Sequence, residues 1–243
     1  MSRRLAVFLY LVLLGEALAG PFKSPVSGSK TGPPTGPKVF VFYPSLARPL
    51  AIQDALSKRC PGLKITVFGR LTDLQALVER EHPQAILAQN AVLKQFPEYR
   101  PRLQGSRNGS ASEDYALLSI GKPFDVTKVS SASIGVVGML DRKEMDGFVA
   151  GLVSGAPRLN RVTKVEDLLP LLIFRSVDAV LVSEANVREF QKKSQAHLVE
   201  TKLDKGKVGL VAAGILSGEG EILPALKALD LGTLSLLGVD AWQ

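Results

Sequence analysis

The sequence is poor in the residues that covalent and metal chemistry use. Its 243 residues include one cysteine, two histidines and one tryptophan. A lone Cys60 cannot close an internal disulfide, even in a compartment that would permit one. It reads instead as a partly buried helix residue. His82 and His197 show no His-x-x-x-His spacing, so a conventional transition-metal site lacks its ligands, and no cofactor is expected. There is no G-x-S-x-G turn and no phosphate-binding loop. Spacing nominates no nucleophile and base, so the protein is expected not to be an enzyme. No run of five basic residues occurs. The formal net charge of +7 therefore offers no stripe that could follow a nucleic acid, and no nucleic-acid partner is expected.

Long apolar runs are also missing. The longest, residues 5–14, is half the length of about twenty residues that a bilayer span needs. Arg3 and Arg4 precede it and Ala17-Leu18-Ala19 follows, which is the pattern of a secretory signal peptide over 1–19, cut after Ala19. A periplasmic or secreted protein with no membrane span after cleavage is expected. Residues 20–37, "GPFKSPVSGSKTGPPTGP", hold little to bury and read as a disordered linker.

What is present is ordinary for a core-forming chain: 46% hydrophobic and 22% charged residues. From Lys38 onward strand and helix patterns alternate. "KVFVFY", "LKITVFG" and "QAILA" are buried strands, separated by a helix reaching Arg59 and by the amphipathic "LTDLQALVERE". Such alternation argues for α/β layering around mostly parallel sheets flanked by helices. Residues 97–114 read as a loop or lid. "YALLSIG", "SASIGVVGML", "DAVLV", "AHLVETKL" and "VGLVAAGIL" supply later strands, and a helix is expected over 219–232.

One pattern occurs twice. Residues 73–96 align without a gap on residues 167–190, with identities at Asp73/Asp167, Leu74/Leu168, Leu77/Leu171, Ala85/Ala179, Leu87/Leu181, Ala91/Ala185 and Phe96/Phe190. Each copy reads helix, short buried strand, polar pair, helix. Two lobes of one architecture follow: lobe 1 from 38–125 plus 204–243, lobe 2 from 126–203, with crossovers near 119–129 and 201–209. Ligands of open parallel sheets sit beyond the carboxyl ends of the strands, where helix N-termini favour anions. The candidate ligand-binding residues are accordingly Tyr43, Ser45 and Arg48 after the first strand, Gln89 and Asn90, Asp141 and Arg142, and Ser183 and Glu184. Each has a plainer reading. Tyr43 could cap the core, Ser45 could cap a helix, and the polar pairs could simply end strands. Tyr115 could line the hinge or sit in the core.

Three stretches resemble the type II periplasmic solute-binding proteins, in particular the phosphate/phosphonate-type binding proteins of ABC importers. They are "DLLPLLIFRSVDAVLVSEANVREF", the opening strand ending at Pro44, and the terminal "LLGVDAW". The resemblance implies a two-lobed clamshell that captures a small polar ligand, with anions among the candidates. It also implies a monomer whose partner is an ABC permease. The alternative is a ligand-sensing or scaffold module of the cell envelope, partnered by an envelope sensor protein, that keeps the fold without transport. The phosphonate-type proteins carry a hydroxyl-rich turn after the first strand of the second lobe. Here that place reads Leu140-Asp141-Arg142-Lys143-Glu144-Met145-Asp146-Gly147. A carboxylate stands where a phosphate would go, so phosphonate itself is not carried over as ligand.

Overall fold

The computed structural model describes residues 36–243. The expected signal peptide and nearly all of the linker lie outside the described residues. Eleven strands and eight α-helices follow. The first group is β1 (Lys38–Phe42), α1 (Pro49–Arg59), β2 (Lys64–Phe68), α2 (Leu71–Glu81), β3 (Ala85–Gln89), α3 (Asn90–Leu93) and β4 (Arg100–Ser106). The second is β5 (Ser112–Ile120), β6 (Ser133–Val137), α4 (Arg142–Val153), β7 (Arg158–Val162), α5 (Leu168–Ile173), β8 (Ala179–Ser183), α6 (Glu184–Lys193) and β9 (Leu198–Gly209). The chain then returns through β10 (Val211–Ile215), α7 (Glu219–Lys227), α8 (Leu231–Leu236) and β11 (Ala241–Trp242).

The strands form two sheets, ordered β11-β4-β10-β3-β1-β2 and β7-β6-β8-β5-β9. By direction, four of the six strands and four of the five run the same way. The mixed α/β, two-lobed architecture expected from the sequence is what the chain adopts. Strand composition explains the layering. In β1, Val39 and Val41 pack towards α1, α7 and α8, while Phe40 and Phe42 face α2 and α3. Both faces are covered, so the run is apolar rather than alternating. The second sheet is covered by α5 and α6 on one face and by α4 on the other.

The repeated unit holds to the residue. Ala85–Gln89 and Ala179–Ser183 are the two strands, and a helix starts immediately after each. β3 lies between β1 and β10, and β8 lies between β6 and β5. Each closes a parallel trio and abuts an antiparallel strand, so the copies occupy equivalent places.

The lobe boundaries fall elsewhere than expected. β5 pairs with β8 and β9, so residues 112–120 belong to the second sheet, as does all of β9. The chain crosses at 106–112 and 209–211, side by side, with Leu210 N–H donating to the Ala111 carbonyl at 2.9 Å. The stretch 97–114, expected as a loop or lid, contains β4 and a two-residue turn. Asn108 and Gly109 both have positive φ, 50° and 76°, and Arg107 and Ser110 exchange both backbone bonds. Asn-Gly is the pair such a tight hairpin turn favours, because both central residues must be left-handed. Ser45 also departs from expectation. α1 starts at Pro49 with Arg48 at the N-cap, and the Ser45 hydroxyl accepts from Ala47 N–H instead.

The terminal "LLGVDAW" staples this crossing. Asp240 accepts from Asn108 N–H at 2.6 Å, and Trp242 pairs with Gly105 in β4. Gly238 has φ 75°, and a Cβ there would lie 1.9 Å from the Tyr43 hydroxyl and 2.9 Å from Arg107 Nη2. Gly238→Ala is therefore expected to destabilise the fold by about 2–4 kcal/mol, from left-handed strain together with overpacking. Urea unfolding should show a lowered midpoint at unchanged slope. A midpoint equal to the parent's would mean that this backbone approach is not a constraint.

Candidate functional site

Two neighbouring features occupy the junction of the lobes. The first is a polar cluster at the crossing. Arg107 Nη1 lies 3.2 Å from Glu113 Oε2, with side-chain exposures of 27% and 6%. Tyr43 stands beside Arg107, and Ser183 beside Glu113. One residue pair further along, Gln89 Nε2 donates to the Tyr115 hydroxyl at 3.3 Å. Tyr43 and Gln89 end strands of the first sheet, whereas Glu113, Tyr115 and Ser183 belong to the second. The cluster thus ties the lobes together with polar groups in a place shielded from water, where such bonds are strong and unmet ones costly.

The second feature is a cavity of about 680 Å³ between the lobes. Lobe 1 contributes Tyr43, Ser45, Arg48, Leu50, Arg70 and Asp73, and lobe 2 contributes Thr163, Lys164 and Glu166. Arg48, Arg70 and Lys164 each stand at the N-cap of a helical turn, and none of those turns has a side-chain cap bond. None of the three cations has an ion-pair partner among the described residues. Asp73 and Glu166 lie in the first turns that follow Arg70 and Lys164, whereas the first turn of α1 has no acidic residue. The positive end of α1 is therefore left for something else to neutralise.

Beside this cavity the junction is closed. A much smaller space of about 30 Å³, lined by Pro44, Tyr115, Met139, Met145 and Ser183 among others, has room for little more than one water. One apolar cluster runs from Phe42, Leu71 and Leu74 to Met139, Leu140 and Met145, joining the lobes. Gln75 Nε2 donates to Asp141 Oδ1 at 3.1 Å, and Gln95 hydrogen-bonds Glu144, so α2 and α3 are held against the start of α4.

Of the nine residues nominated from sequence, the structure brings Tyr43, Ser45 and Arg48 to the cavity. Gln89 turns into the crossing, with its Oε1 unpartnered among the described residues. Asn90 is directed at Gln104 Oε1, 2.7 Å away. Ser183 faces Glu113, and Glu184 is exposed close enough to raise the Glu113 pKa. Asp141 serves the inter-lobe bond, and Arg142 lends its carbonyl to Arg161. Arg70, Lys164, Arg107 and Glu113 were not nominated. For Arg70 a signal existed: like Arg48, it stands between a strand and the helix after it. Arg107 and Glu113 meet only because a hairpin turn lies between them, which the loop reading hid.

Burial raises the Glu113 carboxyl above its ordinary range, opposed by the charge of Arg107. Burial likewise raises both the Tyr43 and Tyr115 hydroxyls, helped by the nearby Glu113. The folded state therefore binds the Glu113 proton more tightly than the unfolded chain does. Its stabilising share is complete below the unfolded carboxyl's pKa and is lost as pH rises through the folded one. Relative to Glu113→Gln, the parent protein should lose stability as pH is raised from about 4 to about 8. Urea midpoints of the two proteins across that range measure it. A constant difference would show that the carboxyl is not perturbed by burial.

No protein-family model matches the sequence, and no curated protein matches it either. Solved structures match its shape. The ligand-binding core of GluR0 in complex with L-glutamate aligns with a TM-score of 0.57 at 12% identity, over 85% of this chain and 97% of that one. The substrate-binding protein of an amino acid ABC transporter gives 0.55 at 13%, over 82% and 96%. The periplasmic VFT2 domain of Bordetella pertussis BvgS gives 0.53 at 13%, over 83% and 92%. With its two helix-flanked sheets and double crossing, the chain has the Venus-flytrap fold of the type II periplasmic-binding-protein-like structures.

Proposed function

We propose that the protein works outside the cytoplasm as a solute-binding protein, capturing a small anionic or polar solute between its lobes for an ABC importer. The observation that carries this is the composition of the 680 Å³ cavity, which Arg48 and Arg70 line from one lobe and Lys164 from the other, together with Tyr43 and Ser45. The volume falls in the range of about 300–1,000 Å³ usual for small-molecule sites. Three cations without ion-pair partners and the uncompensated start of α1 favour an anion over a neutral solute. A solute touching both walls binds the closed form better than the open one, and that difference in affinity drives closure. An importer subunit would then recognise the closed shape. Phosphonate remains the less favoured anion, because Asp141 stands at the turn where the phosphonate-type proteins place hydroxyls.

A second reading rests on a different observation. The apolar cluster across the junction and the bonds at Asp141 and Glu144 hold the lobes together with no solute contributing. A protein closed by its own side chains suits a sensor or scaffold module of the cell envelope.

A thermal-unfolding screen separates the two. The panel is phosphate, phosphonates, sulfate, L-glutamate, other amino acids and small organic acids. One chemical class is expected to raise the melting temperature saturably, adding about 2.7 kcal/mol at a hundred times its Kd. Arg48→Ala and Arg70→Ala should each weaken that solute by about 10- to 100-fold, the worth of one charge-assisted hydrogen bond. A folded protein that responds to none of the panel would favour the scaffold reading.

A further inference from the structure

The far end of lobe 2, opposite the cleft, carries a surface that neither the cavity nor the crossing uses. The parallel strands β6, β7 and β8 begin there, the antiparallel β5 ends there, and α5 and α6 finish there. This topology gathers six exposed cations: Lys122, Lys128, Arg158, Arg175, Lys192 and Lys193. Lys122, Arg158, Arg175 and Lys193 have no ion-pair partner among the described residues. The acidic groups in the same turns are already engaged: Asp125 with Lys128, Glu189 with Lys192, and Asp178 with the Ser133 N–H. A recess of about 480 Å³, lined by Lys122, Leu172 and Arg175 among others, makes the end of β5 and the end of α5 neighbours.

Lysines at the end of α6 also suit its dipole. The apolar groups at this end have no such explanation. Phe174 is 79% exposed and belongs to no apolar cluster, and Ile173 and Val126 are 39% and 44% exposed. Arg175 adds a strained backbone. It has φ 55° and closes α5, its N–H donating to the Leu172 carbonyl and that of Ser176 to the Leu171 carbonyl. Glycine is the usual residue at that place, because it takes the left-handed conformation without steric cost. An arginine there costs stability and holds a guanidinium next to Phe174 at the surface.

We propose that this end of lobe 2 is a seat for an anionic phospholipid surface, with Phe174 inserted among the headgroups and the surrounding cations on the phosphates. The observations favour lipid over a protein partner. The cations come from separate turns across the end of the lobe rather than from one groove, and Phe174 lines neither recess there. An aromatic tip among dispersed cations matches a broad negative surface that admits an apolar side chain. Seated this way, the protein keeps its cavity free, since Thr163, Lys164 and Glu166 lie at the opposite end of lobe 2. The inference is independent of what the cavity binds.

Co-sedimentation with vesicles tests it, using the full chain as its host processes it, in about 100 mM salt. Vesicles of about 30% phosphatidylglycerol in phosphatidylcholine should bind about tenfold or more tightly than phosphatidylcholine alone. Phe174→Ser should weaken binding about tenfold, and Lys122→Ser with Lys193→Ser about 25-fold, each cation contributing about fivefold. Lys58→Ser with Lys64→Ser removes two exposed cations from lobe 1 and should leave binding unchanged. Phe174→Trp should show emission shifted to the blue on the anionic vesicles, beyond any change in the parent protein. Arg175→Gly separates structure from function: it should raise the melting temperature by about 2–4 °C while weakening binding about fivefold. Absence of binding would overturn the proposal and leave the surface to a protein partner with carboxylates around an apolar pocket. Binding that survives the lobe 2 substitutions, or that falls equally in the lobe 1 control, would overturn it as well, showing adsorption by net charge or by the N-terminal residues.

Discussion

Everything at the junction depends on burying one ion pair where the chain crosses between lobes. The Glu113 side chain is 6% exposed and that of Arg107 27%, so the pair is largely enclosed by the residues around it. Tyr43 and Ser183 stand beside them, and Gly238 omits a side chain so that Tyr43 and Arg107 can approach. Asp240 then fixes the turn that carries Arg107. Such a pair adds little to net stability, because desolvation offsets most of its attraction. Its effect is geometric: it permits one arrangement of the crossing strands and penalises those that separate the charges.

The cleft itself is lopsided. On the side of α2, α3 and α4, methionines and leucines fill the junction and two polar bonds lace it shut. On the side of α1 and the turn before α5, the lobes stay apart and leave a cavity edged by cations. The apolar side needs no solute to close. On the other side Arg48, Arg70 and Lys164 stand with Asp73 and Glu166 around the cavity, and none of the three cations has an ion-pair partner among the described residues. Closure and occupancy are therefore separable in this molecule. A solute would tighten an existing arrangement more than create it.

Much of the architecture was legible because it is local. Buried strands of four or five apolar residues, amphipathic helices such as Leu71–Glu81, and the duplicated unit all state their structure within a short window. The equivalence of Gln89-Asn90 with Ser183-Glu184 was visible to the residue. Pairing was not. "YALLSIG" announces a strand without saying which sheet it joins, so β5 was assigned to the wrong lobe and both crossovers moved with it. The loop reading of 97–114 failed for another reason. The stretch is polar and broken by Pro and Gly, yet Asn108-Gly109 makes a tight turn and a Pro at a bulge of β4 is no obstacle to a strand.

The site residues follow the same division. Tyr43, Ser45 and Arg48 reach the cavity because they follow a strand end, a place that sequence can name. The meeting of Arg107 and Glu113 is not legible in the sequence, because it depends on one turn and on a glycine more than a hundred residues away. Gln89 and Asn90 occupy the nominated position yet turn inward, since the antiparallel strand β10 beside β3 closes off that edge. A strand end is open to solute only where its neighbour also ends. β1 and β2 are parallel and finish together at Phe42 and Phe68, so the loops after them diverge and open a cavity. β3 meets β10 running the other way, and the crossing covers it. Polar residues at strand ends thus line the cavity at one edge of the sheet and sit inside the crossing at the other.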